Sequence, residues 1–253
     1  MGNDTKTLEK GNIYFFYRPK VEHKEVSGEQ DVQRMYMVLN PDNKNLYRIA
    51  IIGKKELPEP QTSGHKRYWG YISMVSDNSD DVKNELRPEQ YKTATRGERY
   101  LPYSRPFGEG VYRIVKHDRH THFAYALELP GKTGEVQDEF NVEDQASYII
   151  SIKNPQVSSP PGARRPRSQK ADYPRELENV FRDRRFSELD PPELINYEGS
   201  EFILIAASAD VKEELGINLK FEAMKRCCDD IFKDLHLDIS EKLKDPLFKG
   251  KWK

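Results

Sequence analysis

The chain has 253 residues, enough for one large domain or two modest ones and for a sizeable buried core. Lys plus Arg number 41 against 42 for Asp plus Glu, a net charge of -1, so no global field recommends DNA or an anionic membrane as a partner. With 36% hydrophobic and 11% aromatic residues, disorder is excluded as a whole-chain answer, and no run approaches the ~18 apolar residues of a membrane span.

The first residues, MGNDTKTLEKG, lack the cationic start and apolar stretch of a secretory signal, and Lys6 stands where a myristoylation pattern wants Ser or Thr. Strand signals then dominate. Residues 12–18, 33–40, 46–52, 67–75, 110–116, 121–129 and 146–153 are short, β-branched or aromatic, and separated by turn residues, which predicts about seven strands. Pro41 and Asp42 suit a turn, so 35–39 and 46–52 are expected to form a hairpin. A second hairpin is expected over 110–129, because its polar tip, His117 to His120, is too short for a crossover. Residues 77–101 carry charge without a clear period and read as one short helix and a long loop.

From residue 154 to 172 the sequence turns to Pro, Ser and Arg, the composition of a linker. Beyond it, Leu177, Val180 and Phe181 fall at helical spacing, and Asp190 with Pro191, Pro192 and Glu193 resembles a helix start. Residues 201–207 form an apolar run suited to a strand buried on both faces, and Asp210 caps a helix that Gly216 ends. A long amphipathic helix is expected over 221–235, with Phe221, Met224, Cys228, Ile231 and Leu235 as the stripe that covers that strand. The fold class expected is α+β: an antiparallel, β-rich N-terminal domain (1–153) in the form of a curled sheet or small barrel, the linker (154–172), and a smaller mixed α/β part (173–253). Adjacent Cys227 and Cys228 offer neither a disulfide framework nor a zinc spacing, which with the rest points to a soluble cytoplasmic protein without a membrane partner.

Four phrases, GNIYFFYRPKVE (11–22), GEGVYRIVKHDRHTHFAYALELP (108–130), ASYIISIKNP (146–155) and DPPELINYEGSEFILI (190–205), resemble a family of bacterial-type proteins of unassigned activity. The resemblance spans nearly the whole chain and implies a cytosolic microbial protein. It implies no activity, ligand or site residue.

Two sets of residues carry chemistry. His117, His120 and His122 cluster at the expected hairpin tip, and on a strand His120 and His122 share a face at a spacing compatible with a divalent metal. With His117 they would make a metal-dependent or histidine-based hydrolase, whereas the competing reading is a solvated tip whose histidines are there by polarity. The second set is basic and aromatic. Arg96, Arg99 and Arg105 are interleaved with Tyr100 and Tyr103, and Arg164, Arg165 and Arg167 lie in the linker, where residues 164–185 hold eight basic against four acidic side chains. Guanidinium groups bind phosphate well and aromatic rings stack on bases, so these residues point to RNA or a nucleotide-like anion. Tyr14, Phe16, Arg18 and Lys20 share a strand face with the same aromatic-plus-basic character, though without the consensus of RNA-binding sheets. The Walker and G-x-G-x-x-G phosphate loops are absent. The leading expectation is a ligand-binding or regulatory module for an anionic partner. The alternatives are the hydrolase and a protein–protein adaptor that uses the linker and the C-terminal helix.

Overall fold

The computed structural model describes residues 5–60, 66–158, 169–225 and 231–252. Its strands are β1 (Thr5–Pro19), β2 (Val32–Pro41), β3 (Tyr47–Ile52), β4 (Tyr68–Ser76), β5 (Glu89–Thr93), β6 (Gly97–Leu101), β7 (Arg105–His117), β8 (His120–Leu129), β9 (Gln145–Lys153), β10 (Phe186–Glu188) and β11 (Glu201–Ser208). The helices are short: α1 (Ser79–Leu86), α2 (Glu135–Glu139), α3 (Arg175–Glu178), α4 (Val211–Leu215), α5 (Leu219–Lys225), α6 (Ile231–Asp234) and α7 (Asp245–Lys249).

Eight strands close a barrel in the order β9-β11-β4-β3-β2-β1-β7-β8, with β8 pairing back onto β9. Every one of these pairings is antiparallel. The seven expected strands are all present, and so are both hairpins. In the second one His117 pairs with His120, which leaves Asp118, in the left-handed region at φ 52°, and Arg119 to make the turn. The architecture is therefore α+β and dominated by an antiparallel barrel.

Closure explains the composition of the strands. Residues 13–17 are all buried, because successive side chains point alternately into the barrel and onto a second layer outside it. Phe15 and Tyr17 join the interior with Met35, Met37, Tyr125 and Tyr148, while Tyr14, Phe16, Tyr36 and Val38 lie under α1 and the segment from Ile231 to Leu247. The aromatic face of β1 is thus covered core and not an open sheet surface. Each such residue contributes on the order of 1.5–3 kcal/mol by burial. Strands also approach closely where glycine allows it: a Cβ at Gly110 would stand 2.0 Å from the Ala126 carbonyl oxygen.

β11 lies between β9 and β4, and β10 pairs with residues 151–153 of β9, so strands from beyond residue 172 share the sheet of the earlier ones. Two expectations change. The stretch 87–101 is not a loop but the two-stranded hairpin β5–β6, which stands apart from the barrel sheet. The described parts of the expected 221–235 helix do not cover β11. Its first part, α5, packs on β8 and β7 through Leu219 and Ala223, and Phe221 (52% exposed) and Met224 (74%) face outward. The i, i+4 pair 219/223, with a small alanine against the strands, sets the buried face one step away from the bulkier side chains. Cys227 and Cys228 lie outside the described residues, whereas Ile231 and Leu235 are buried as the stripe requires. Along β11, residues 201–204 are buried and 205–208 only half-buried.

Candidate functional site

The site is assembled where β1 and β2 end. Arg18 and Arg34 are direct partners across the β1–β2 pair, so two like charges stand side by side on the outer face, next to Tyr36. Helix α1 crosses this face because Asn78 caps it, accepting from the Asp80 amide at 3.0 Å, and Val82 and Leu86 bury themselves against the sheet. Its C-terminal carbonyls have run out of helical donors, and Arg18 supplies some. One guanidinium nitrogen of Arg18 donates to the Arg87 carbonyl at 3.4 Å and another to the Glu85 carbonyl, while its Cζ sits 5.7 Å from the centre of the Tyr36 ring. Arg18 is only 3% exposed, and its Nε has no hydrogen-bond partner among the described residues.

The β5–β6 hairpin forms the opposite wall. It is anchored by Glu22, whose amide donates to the Tyr100 carbonyl at 2.9 Å and whose carboxylate accepts from the Tyr100 amide at 2.7 Å. Between hairpin, α1 and the strand ends runs a groove of about 640 Å³, lined by Arg18, Arg34, Arg87, Tyr36, Tyr91 and Leu101, with Glu85 and Glu89 at its side. A smaller hollow of about 400 Å³ adjoins it at Tyr91 and is lined by Glu22, Lys92, Glu98, Arg99 and Tyr100.

The two hollows differ in charge balance. In the smaller one Lys92 stands opposite Glu98 in register and Arg99 lies 3.7 Å from Glu22, so its two cations are equalled in number by two carboxylates. In the larger one Arg18, Arg34 and Arg87 form no ion pair with a carboxylate within 4 Å among the described residues. Burial works against the charge of Arg34, but Tyr36, Tyr71 and Glu85 outweigh it and hold its pKa above the usual value. Burial and Asp238 raise the phenol of Tyr103 despite the pull of Arg18. The arrangement can therefore bind an anion through exposed Arg34 and Arg87, with the buried charge of Arg18 behind them.

The residues expected from the sequence divide. Arg99 and Tyr100 line the smaller hollow, and Tyr103 is half-buried against the outer core. Arg96 is exposed in the β5–β6 turn. Arg105 does not reach the groove: it is 2% exposed, pairs with Tyr17 across β1–β7, lies 5.9 Å from that ring and donates to the Lys24 carbonyl at 2.5 Å. Arg164, Arg165 and Arg167 fall outside the described residues. Arg34 and Arg87 were missed, since nothing in the sequence says that Arg34 stands opposite Arg18 until the register is known.

None of the three histidines lines either hollow. His120 is exposed at the turn, while His122 is 5% exposed beneath α4, with its ring 5.7 Å from that of His117 and its Nδ1 3.6 Å from Glu214. Burial, then the neighbouring charges of His117 and His120, lower the pKa of His122 to about 4, so it is neutral at physiological pH. Burial raises that of Glu214, whose carboxylate accepts from the Ser147 hydroxyl. Among the described residues no three His, Cys, Asp or Glu side chains are grouped as metal ligands. His120 and His122 do share a face, but one meets water and the other the protein interior.

No family model, no curated protein and no solved structure matches the chain. Among the described residues no helix is long and apolar enough to cross a membrane.

Proposed function

We propose that the protein is a ligand-binding or regulatory module whose partner presents an anionic group to the groove between α1 and the β5–β6 hairpin. The observation that carries this reading is the gathering of Arg18, Arg34 and Arg87 on one groove, none of them within 4 Å of a carboxylate among the described residues, whereas buried Arg48 and Lys153 are paired with Glu9 and Glu201. Arg34 stands directly across from Arg18, and an anion between them offsets their mutual repulsion. The classes of partner that fit are RNA and nucleotide-like molecules, because planar guanidinium groups and aromatic walls recognise both.

The test is equilibrium binding of inorganic phosphate, nucleotides and single-stranded RNA at low and high salt, on the intact chain and on an Arg34→Glu, Arg87→Glu variant. Both positions are exposed, so the variant is expected to fold. Binding of at least one of these anions, lost in the variant, supports the reading. Failure of all three to bind at low salt removes it.

A further inference from the structure

We infer that the ligand is a small phosphate monoester carrying a hydroxylated ring system, of the nucleoside monophosphate class, and not a nucleic-acid strand. The inference rests on the anion-binding reading and narrows it.

The first argument is the distribution of charge. A strand of RNA presents a phosphate at every nucleotide and needs basic side chains along its whole track. Here three arginines, Arg18, Arg34 and Arg87, are gathered at one groove, and in the hollow past Tyr91 the cations Lys92 and Arg99 are equalled in number by the carboxylates Glu98 and Glu22. One compact anionic group is satisfied at this place and a second one further along is not. Exposed Arg34 and Arg87 line one groove with the charge of Arg18 behind them, a set of donors that suits the several oxygens of a phosphate better than the two of a carboxylate.

The second argument is what else lines the groove. Glu85 and Glu89 stand beside the arginines, and their carboxylates repel a polyanion but accept hydrogen bonds from sugar hydroxyls. Tyr91 and Leu101 provide an aromatic and an apolar wall for a ring. The volume of about 640 Å³ lies within the range of about 300–1,000 Å³ typical of small-molecule sites. A phosphate at the arginines, hydroxyls at the glutamates and a ring at Tyr91 use the charged and aromatic groups of the groove, and the amides of Gln33 and Asn84 add further donors and acceptors.

The test is calorimetric titration of the full chain with adenosine and uridine monophosphates, inorganic phosphate and a single-stranded oligoribonucleotide, each at two salt concentrations. The monophosphates are expected to bind more tightly than inorganic phosphate and the oligonucleotide, with weak salt dependence. Arg34→Gln or Arg87→Gln should weaken them by about tenfold to a hundredfold, and Arg34→Lys should recover part of the loss. Glu89→Gln should weaken the monophosphates and leave or improve inorganic phosphate, a split that simple relief of repulsion does not produce. Tighter binding of the oligonucleotide with a steep salt dependence overturns this inference and leaves the anion reading standing. Equal affinity for monophosphate and inorganic phosphate overturns it as well, because nothing then recognises sugar or ring. If no anion binds, both readings fall.

Discussion

Arg48 and Arg18 are both buried guanidinium groups on the same barrel, and their charges are met in opposite ways. Arg48, 0% exposed and pointing inward from β3, donates to both carboxylate oxygens of Glu9 at 2.6 and 2.9 Å and to Asn196 at 2.8 Å, while the Tyr112 hydroxyl also donates to Glu9. Burial alone would raise the pKa of Glu9, but the bonds and charge of Arg48, with Tyr112 and Lys44, lower it. Arg18, on the outer face, has backbone carbonyls and an aromatic ring for neighbours and a second arginine across the ladder. A complete internal network closes a site to anything else, whereas dipoles hold a guanidinium in position without cancelling its charge. On the proposed reading one arginine belongs to the fold, and the other leaves a field for a ligand.

The largest effect that can break this comparison is at Glu9. Replacing it by Gln leaves Arg48 buried without its carboxylate and should cost about 3–5 kcal/mol in denaturant unfolding, whereas the apolar pair Glu9→Leu, Arg48→Met should lose far less. Similar losses in the single and double variants would show that the network is not what holds this end of the barrel.

His122 extends the comparison to a buried group that avoids the problem by staying neutral. Its pKa of about 4 in the fold lies below the ordinary value of 6.5, so the unfolded chain binds the extra proton and stability falls as pH drops from above 6.5 toward 4. The full effect corresponds to about 3 kcal/mol. Glu214 acts the other way, because its raised pKa in the fold makes protonation favour the native state. Melting curves at neutral pH and near pH 4 should show a smaller acid-induced drop in His122→Leu and a larger one in Glu214→Gln. Identical drops in all three proteins would remove His122 as the source.

Ligand binding comes next in size. A ligand held at about 100 times its Kd stabilises the native state by about 2.7 kcal/mol, so a nucleoside monophosphate should raise Tm in the wild type and not in Arg34→Gln. The smallest effect is the most pointed. Without ligand, Arg34→Gln relieves the repulsion from Arg18 but removes a charge that Tyr36, Tyr71 and Glu85 favour, so the stability should change by less than about 0.5 kcal/mol, read as a nearly unchanged denaturant midpoint and slope. A loss as large as that of Glu9→Gln would mean that Arg34 serves the fold as Arg48 does.

Strand positions were legible in the sequence because alternation, aromatic content and turn residues act over a few neighbours, as in 12–18 and at the two hairpins. The β5–β6 hairpin was hidden because its strands are polar on both faces, with Lys92, Glu98 and Gln90 where an apolar alternation would have marked it. The 221–235 helix was misjudged because the largest apolar residues were assumed to be the buried ones, while close packing on β8 favours Ala223. Of the site, Arg18, Arg99 and Tyr100 carried a signal in their basic and aromatic neighbours. Arg34 and Arg87 carried none, because their meaning depends on cross-strand register and on where α1 ends, both of which are long-range outcomes.

The place of β11 between β4 and β9 also bears on how the molecule comes into being. Seven of the eight barrel strands precede residue 154, yet the barrel has a gap until residues 201–208 arrive. During synthesis the growing chain therefore holds a sheet with two unpaired edges, one on β4 and one on β9, each rich in apolar residues and open to pairing with another chain. Non-local pairing of this kind slows folding, and β11 works as a late keystone whose delay exposes the nascent sheet to aggregation.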